Sequence, residues 1–272
     1  MRVAYTGWTW LTHHKDNYQW EFEQFLKEVA DLGYDSVENF AFITKYFDNN
    51  ADAVNALLKK YRLDLVNMYF HCTEDPEADY ETAVNYVPFM DKTGVKFMNM
   101  QVKMYQENPG GHPTDEEKIK STALLSNRVG KLLKEHGIVP CFHPHWGTAI
   151  FTQTEIDLFE KYVDHDLVKL CIDTAHTALA GMDPVKTIER YGDRIGYIHL
   201  KDLDPDTSIC PERPLVRFLP LGCGTIDFSG VHKALVKNGY DGVLCVELDN
   251  SPVCNYHSAM VSRRYIHNVL HL

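Results

Sequence analysis

The chain has 272 residues, 44% of them hydrophobic, and a formal net charge of −11 at pH 7. An acidic surface repels phosphate backbones, so we expect no nucleic-acid partner. No apolar run approaches membrane length and no basic stretch precedes an apolar segment near the N-terminus, so we expect no membrane partner and a cytoplasmic location.

Strand-like and helix-like periods alternate along the chain. The candidate strands are Arg2–Tyr5, Ser36–Asn39, Leu63–Tyr69, Val95–Gln101, Ile138–His143, Val168–Asp173, Ile195–Lys201 and Gly242–Glu247. The amphipathic segments are Tyr18–Leu32, Ala51–Tyr61, Tyr80–Thr93, Asp115–His136, Glu155–Tyr162, Pro184–Tyr191, Phe228–Asn238 and Tyr256–Leu270. Eight strands alternating with eight helices predict an α/β fold, a single (β/α)8 TIM barrel over residues 1–272. An open doubly wound sheet is the alternative, but no GxGxxG motif follows a strand and opens a helix.

Four apolar runs in the second half of the chain each end in a residue type that binds metals. They are CFHPH (141–145), LCIDTAH (170–176), YIHLKD (197–202) and LCVELD (244–249). Such runs are typical of buried parallel strands, whose carboxyl ends build the active site of a barrel enzyme. We therefore predict that four side chains meet at the barrel mouth: His143, Asp173, His199 and Glu247.

The residues two positions before these four should form the layer below, because residues i and i+2 of a strand point to the same face. This layer consists of Cys141, Cys171, Tyr197 and Cys245. The thiols are small enough to pack a tapering barrel interior, and we interpret them as core residues. Their repeated offset predicts that the four strands share one register. The odd total of seven cysteines favours reduced thiols over a disulfide framework.

Two imidazoles and two carboxylates suit one divalent metal ion. Mn²⁺ is our first choice, with Co²⁺, Mg²⁺, Fe²⁺ or Zn²⁺ as alternatives. A cation held there polarises a carbonyl and stabilises the enediolate that forms when the α-proton is removed. This chemistry also needs a general base and a proton donor. His145, His176 and Lys201 lie on the same rim, and Glu247 is a further candidate base.

Other side chains near the predicted strand ends are candidates for substrate binding. Glu38 ends the second strand, Trp146 follows the fifth, and Arg217 lies in the loop 206–219. Trp8 and Trp10 also follow a strand end, where they would either wall a polyol pocket or pack outside the barrel. His13 and His14 have only a slight case for substrate contact. Any one such residue is more often a cap or a loop hydrogen-bonder than part of a site.

Several longer segments carry a resemblance to a known family. They are AYTGWTW (4–10), HPHWGT (143–148), IDTAHTALAGMDP (172–184), RIGYIHLKD (194–202) and GCGTIDF (222–228). Through them the chain resembles the xylose-isomerase-like barrels, a family of sugar isomerases, epimerases and dehydratases. Within that family it is most similar to the inosose dehydratases of inositol catabolism. The resemblance covers almost the whole chain and implies a TIM barrel that binds a metal and a small sugar or keto-polyol.

The family generally holds one divalent metal with Glu, Asp, His and Glu at successive strand ends. Asp173, His199 and Glu247 match the last three positions. The first position departs, because His143 stands where many relatives have glutamate. The resemblance therefore implies His143 as the ligand, with His145 beside it. It also implies that the DTAH histidine, His176, faces the substrate.

This departure bears on the reaction that the resemblance implies. Sugar epimerases of the family use two metal-bound glutamates, one on each face of the substrate. With His143 in place of one glutamate, a one-sided base favours elimination. We therefore expect a metal-dependent lyase, a dehydratase that removes an α-proton and eliminates water from a cyclic keto-polyol. Glu247 or His145 would be the base, and Lys201 or His176 the acid.

Four alternatives remain at this point. One is a sugar isomerase or ketose 3-epimerase, which shares the enediolate but returns the proton. Another is a β-eliminating subunit that acts on 3-keto-glycosides in C-glycoside cleavage and needs a small partner subunit. An apurinic endonuclease would want a basic face, against which the charge of −11 argues. A non-catalytic barrel gives no reason for four ligand-type residues at one mouth. A homo-oligomer is open in every case.

Overall fold

The computed structural model describes residues 1–11, 15–73, 75–107 and 110–272; His13 and His14 lie outside them. In chain order the first half contains β1 (Arg2–Thr6), α1 (Trp8–Leu11), α2 (Tyr18–Asp31), β2 (Ser36–Phe40), α3 (Ile43–Tyr46), α4 (Ala51–Tyr61), β3 (Asp64–His71), α5 (Pro76–Thr93), β4 (Phe97–Gln101) and α6 (Glu116–Lys134). The second half contains β5 (Val139–Phe142), α7 (Gln153–Tyr162), β6 (Lys169–Asp173), α8 (Thr174–Leu179), α9 (Pro184–Tyr191), β7 (Ile195–Leu200), β8 (Asp202–Leu203), β9 (Phe218–Leu219), α10 (Phe228–Lys237), β10 (Val243–Val246) and α11 (Asn255–Tyr265), which a π-helical turn, Ile266–Leu270, extends.

Eight parallel strands close into a barrel in the order β1-β2-β3-β4-β5-β6-β7-β10, with helices between them. This confirms the predicted (β/α)8 TIM barrel, and each predicted strand coincides with one of the eight. The sequence did not reveal α1, α3, α8 or the small antiparallel pair β8–β9. These elements have two to six residues, too few to show a hydrophobic period. Within the described ranges, no helix is both long and apolar enough to cross a membrane.

Local sequence signals set where several helices begin. Asp75 accepts hydrogen bonds from the backbone at the start of α5, and Asp115 does the same for α6. At α7, Thr152 and Glu155 form a capping box. These caps satisfy backbone N–H groups that have no partner inside the helix. The starts of these three helices are therefore fixed by local sequence.

The barrel interior contains the predicted cysteine layer. Cys141, Cys171, Tyr197 and Cys245 are fully buried in one cluster with Ala4, Val66 and Val243. A separate and larger core lies between the outer strand faces and the helices. The parity argument is therefore confirmed, because inward-facing residues of the strands do alternate with outward-facing ones.

The prediction of one shared register for the four strands is wrong. Asp173 pairs with His199 across β6 and β7, but the partner of His199 on β10 is Cys245. Glu247 consequently lies two residues farther along. Cys141 is opposite Lys169 rather than Cys171. Closing a sheet into a barrel requires tilted strands and a staggered register, which the sequence offsets do not show.

A bulge in β7 accommodates this stagger. Leu170 pairs with Ile195 and the next residue, Cys171, pairs with Tyr197, so Gly196 is the extra residue. A Cβ at Gly196 would lie 2.6 Å from Lys169 Cβ and 2.8 Å from Cys141 Sγ. Only glycine fits this close approach without movement of the neighbouring strands.

We expect Gly196→Ala to destabilise the protein by about 1–3 kcal/mol, because the added methyl overpacks the bulge. Urea unfolding measures the loss. Val236→Ala, at a side chain that is 57% exposed on α10, serves as the control and should change stability by no more than about 0.5 kcal/mol. Equal stabilities for the two variants would contradict this account of the bulge.

Candidate active site

The four predicted ligands meet at the carboxyl ends of their strands. His143, Asp173, His199 and Glu247 are all buried, and one ligand atom from each lies within 4.8 Å of the others. His199 Nδ1 is 3.0 Å from Glu247 Oε2, 3.3 Å from His143 Nε2 and 3.9 Å from Asp173 Oδ2. The backbone N–H groups of His143 and Glu247 donate to Met100 and Leu200, so both residues continue their strands in line.

The donor atoms of this cluster fit a divalent cation. Asp173 Oδ2 and Glu247 Oε2 are buried, and neither accepts an aligned hydrogen bond within the described part of the chain. Buried carboxylate oxygens without hydrogen bonds are costly, and such oxygens are rare without a cause. Two carboxylate oxygens and two imidazole nitrogens around one point form a donor set that suits Mn²⁺, Fe²⁺, Co²⁺ or Zn²⁺.

Hydrogen bonds fix which nitrogen each ligand histidine offers. His143 Nδ1 donates to the Pro144 carbonyl at 2.9 Å, which leaves Nε2 without a proton and directed at the cluster. His199 Nε2 lies 2.9 Å from Glu38 Oε2, so Nδ1 faces the other three ligands. Burial, together with the nearby His199, lowers the pKa of His143 well below its usual value. A neutral imidazole is the form that binds a metal.

The pKa of each ligand carboxyl group depends on burial and on Lys201. Burial raises the pKa of Asp173, and the Lys201 ammonium opposes this effect. Burial also opposes ionisation of Glu247, but Lys201 and His199 hold its pKa well below the usual range. Glu247 is therefore the more strongly ionised of the two carboxylates.

Lys201 is wholly buried, whereas a lysine on a barrel rim would ordinarily extend into water. Its Nζ lies 2.7 Å from Asp249 Oδ2, 3.1 Å from Glu247 Oε2 and 3.4 Å from Asp173 Oδ2. Burial alone would lower its pKa, but these carboxylates raise it well above the ordinary value. Lys201 is therefore an ammonium group held against the cluster, and Phe218 covers it at 4.6 Å.

A cavity of about 160 Å³ opens above the cluster. One wall is aromatic and consists of Trp8, Phe40, Tyr69 and His71; the other side is polar and carries Gln101, His145, Glu247 and Asp249. Burial lowers the pKa of His71 to about 4, so this ring is neutral. An aromatic face opposite several hydrogen-bonding groups is the usual lining of a site for a small polar ring.

A larger cavity of about 260 Å³ lies between α5 and α6, outside the barrel. Its acidic residue, Asp79, already accepts two hydrogen bonds from the Thr73 backbone N–H. We place the active site in the smaller cavity, because Glu247 of the ligand cluster lines it. The residues that line a cavity are better evidence for an active site than its volume.

His145 and His176 occupy the rim with different protonated nitrogens. His145 Nδ1 donates to the Trp146 carbonyl at 2.7 Å, so its Nε2 is unprotonated. His176 Nδ1 accepts the Trp146 N–H at 3.3 Å, so its Nε2 carries a proton, and this buried N–H has no hydrogen-bond partner in the described chain. Burial is the main cause of the lowered pKa of both rings, whose centroids are 3.9 Å apart.

Three predicted substrate-binding residues lie apart from the cavity lining as the described residues define it. Glu38 is fully buried behind His199. Trp146 is half-buried, and its indole packs over Gly110. The Arg217 guanidinium donates twice to the Asp204 carbonyl, at 3.0 and 2.6 Å, where it secures the loop before β9. Of the two packing positions considered for Trp10, the structure shows the one outside the barrel, where the indole contacts Phe25.

Sequence reasoning missed Asp249, Gln101 and Tyr69, all of which line the cavity. Each lies two residues beyond an inward-facing position of its strand, as His145 lies beyond His143. The i, i+2 rule would have found Asp249 from the segment LCVELD, because Glu247 was already identified. Tyr69 donates to Gln101 Oε1, which leaves the Gln101 amide nitrogen available to the cavity.

Comparison with known proteins agrees with this fold. Residues 26–264 match the family described as the xylose isomerase-like TIM barrel. The chain belongs to that family. An inosose dehydratase of Geobacillus kaustophilus is 26% identical over 273 residues, which cover 92% of this chain and 87% of the relative.

Solved structures share the fold at lower identity. A D-allulose 3-epimerase from Methylomonas sp. has a TM-score of 0.79 and 17% identity, and the match covers 98% of this chain and 96% of that one. The IOLI protein, which holds a zinc atom, has a TM-score of 0.76 and 17% identity, with 99% and 98% covered. At these identities the two structures show the common barrel alone.

We expect Mn²⁺ to stabilise the protein by about 2.7 kcal/mol at a concentration of 100 times Kd, because it binds only the folded cluster. Asp173→Asn should abolish this response, since Oδ2 is lost while Oδ1 still caps α8. Thermal unfolding with and without metal measures the effect. Asp183→Asn is the matched control, because Asp183 caps α9 in the same way and should leave the metal response intact. A metal response in Asp173→Asn equal to that of the wild type would contradict the ligand assignment.

Proposed function

We propose that this protein is a metal-dependent dehydratase, a carbon–oxygen lyase that eliminates water from a small cyclic keto-polyol. The observation that carries the proposal is the pairing of an unprotonated His145 Nε2 with the Lys201 ammonium beside one buried donor cluster. Elimination of water next to a ketone requires a base for the α-proton, an acid for the β-hydroxyl group and a cation that polarises the carbonyl. The inosose dehydratases among its relatives support the same reaction class.

His143, Asp173, His199 and Glu247 would hold the metal ion. When bound, the ion polarises the substrate carbonyl and lowers the energy of the enediolate. Mn²⁺ remains our first choice. Zn²⁺ is supported by the zinc in the IOLI protein, and Co²⁺, Mg²⁺ and Fe²⁺ remain alternatives by ligand type.

We assign His145 as the general base. Its Nδ1–H is engaged by the Trp146 carbonyl, so the lone pair on Nε2 is free, and the ring lines the cavity. Glu247 is less suited, because its Oε2 already faces His199 Nδ1 and Lys201 Nζ. In the first step the α C–H bond breaks, the proton passes to His145, and the electron pair forms the enediolate.

Lys201 is our choice for the acid. Its ammonium contacts Glu247 and Asp249, both of which line the cavity, so its proton lies beside the substrate position. In the second step the electron pair of the enediolate forms the α,β C=C bond as the β C–O bond breaks, and the departing hydroxide takes a proton from Lys201 and leaves as water. His176 Nε2–H is the second candidate donor. No described residue accepts a hydrogen bond from it, and its ring lies against that of His145.

The cavity favours a compact substrate. Its volume of about 160 Å³ and its aromatic wall suit a single ring, and its polar side offers Gln101 and Asp249 to hydroxyl groups. A sugar isomerase or a ketose 3-epimerase is the second candidate, because it uses the same enediolate. The arrangement of one imidazole base and one ammonium acid favours loss of hydroxide over return of the proton.

Product mass tests this assignment. The Mn²⁺-loaded protein is incubated with keto-inositols, ketohexoses and a 3-keto-C-glycoside, and the products are weighed by mass spectrometry. Loss of one water from a keto-inositol supports the dehydratase. Unchanged mass with a new stereocentre would replace it with an epimerase or isomerase, and release of an aglycone would replace it with the C-glycoside-cleaving lyase.

Reactions in ²H₂O distinguish the role of His145 as the base from the role of Lys201 as the acid. We expect His145→Gln to lose both α-proton exchange and elimination, with kcat lower by about 10²–10⁴. Lys201→Gln should lose elimination but retain exchange of the α-proton, because the enediolate still forms and is reprotonated by solvent. Mass spectrometry of recovered substrate measures the exchange.

The exposed His136→Gln serves as the control and should behave as the wild type in both assays. Each variant is checked for retained fold and metal content, because removing one partner of a buried ion pair also costs stability. Full α-proton exchange by His145→Gln would remove this residue from the role of base.

A further inference from the structure

Besides Asp173 and Glu247, a third buried carboxylate lies on the far side of the cluster from the cavity. Glu38, on β2, is fully buried, and its Oε2 lies 2.9 Å from His199 Nε2. The same oxygen accepts hydrogen bonds from the side-chain amides of Asn67 and Asn99. None of these three residues lines the cavity as the described chain defines it, so this group acts on the site only through His199.

We propose that Glu38 is a positioning residue for the metal centre: it holds the His199 ring so that Nε2 keeps its proton and Nδ1 is presented to the cation. An imidazole with two possible protonated nitrogens binds a metal well only if the other nitrogen has an acceptor. A carboxylate in that position fixes the ring orientation and makes the ligand nitrogen more basic.

Two asparagines direct donor groups at the same carboxylate oxygen of Glu38. Asn67 Oδ1 accepts the backbone N–H of Asn99 at 3.0 Å, which fixes the Asn67 amide with its NH₂ group towards Glu38. The Asn99 Nδ2 atom lies 3.2 Å from the same carboxylate oxygen. Amide NH₂ groups donate and do not accept, so both hold Glu38 Oε2 in place as a hydrogen-bond acceptor for His199 Nε2–H.

A second metal site formed by Glu38, His199 Nε2 and Cys245 is the competing interpretation of this group. Glu38 Oε2 is already directed at two amide groups, and an amide NH₂ offers no lone pair to a cation. Glu38 Oε1, which is buried and has no hydrogen-bond partner among the described residues, is the atom that would favour a second ion. The three donors on Oε2 therefore favour the hydrogen-bonded arrangement, and counting bound metal decides between the two.

This inference rests on the metal centre of the proposed function but not on the dehydration. It concerns metal binding, which is measured without substrate. A protein that binds Mn²⁺ but returns a product of unchanged mass would refute the dehydratase and leave the role of Glu38 intact.

Glu38→Gln keeps the size of the side chain and removes its charge. We expect the Kd for Mn²⁺, measured by competition with a chelator, to rise about 10–100-fold. Saturating Mn²⁺ should restore most of kcat, with KM nearly unchanged, because Glu38 does not touch the substrate.

Glu155→Gln is the matched control. Glu155 is a buried carboxylate that accepts from the backbone N–H groups of Phe151 and Thr152 in the capping box of α7. It should lose stability while its Kd for Mn²⁺ stays that of the wild type. The comparison separates loss of a buried carboxylate in general from loss of the one behind His199.

A measurement on the wild type keeps the test available if Glu38→Gln does not fold. In the Zn²⁺-loaded protein, ¹⁵N NMR of the histidine rings should show His199 with a protonated Nε2 and a metal-bound Nδ1. The assignment comes from the spectrum of His199→Gln. A His199 ring with the proton on Nδ1 would overturn the proposal.

Four further outcomes would also overturn it. An unchanged Kd in Glu38→Gln, with lower thermal stability alone, would make Glu38 a packing residue. A higher KM at saturating metal with an unchanged Kd would make it a substrate contact. Two ions per wild-type chain, falling to one in Glu38→Gln, would make it a ligand of a second metal. A wild-type protein without metal affinity would remove the inference together with the metal centre.

Discussion

The barrel mouth is organised by carboxylates buried close together. Glu38, Asp173 and Glu247 are buried there, and Asp249 lies at the edge with its side chain 19% exposed. Among the described residues Lys201 is the one buried ammonium, and it contacts Asp173, Glu247 and Asp249. Removing a carboxylate from water costs several kcal/mol unless positive charge or hydrogen bonds compensate. Lys201 and the imidazole of His199 supply part of that compensation, and in the proposed function a divalent cation supplies the remainder.

The barrel stacks its inward-facing residues in layers, and each layer has its own role. Three thiols and the Tyr197 ring fill the lowest layer, where they pack with Ala4, Val66 and Val243. The donor cluster lies two residues higher along the same strands. Two residues beyond it, His145 and Asp249 line the cavity, whereas Lys201 is buried against Glu247 and Asp249. The spacing of two residues along a strand thus separates the core, the candidate metal ligands and the groups at the cavity.

Hydrogen-bond partners set which nitrogen of each histidine at the mouth carries the proton. A carbonyl acceptor on Nδ1 leaves Nε2 free in His143 and in His145. A backbone N–H on Nδ1 gives the opposite form in His176. Identical side chains therefore present different nitrogens to the site through their immediate neighbours, because a neutral imidazole has one proton to place between two nitrogens.

The sequence by itself determined the barrel, the convergence of four ligand-type side chains and the cysteine layer, because each depends on local periodicity and on parity along one strand. The tertiary structure alone decided the stagger between strands, the burial of Lys201 against Asp249, and the position of Glu38 behind His199. It also showed that the Arg217 guanidinium donates to the Asp204 carbonyl and does not line the cavity. These features depend on how one strand meets the next, and the closure of the barrel sets that relation at a distance that no single segment encodes.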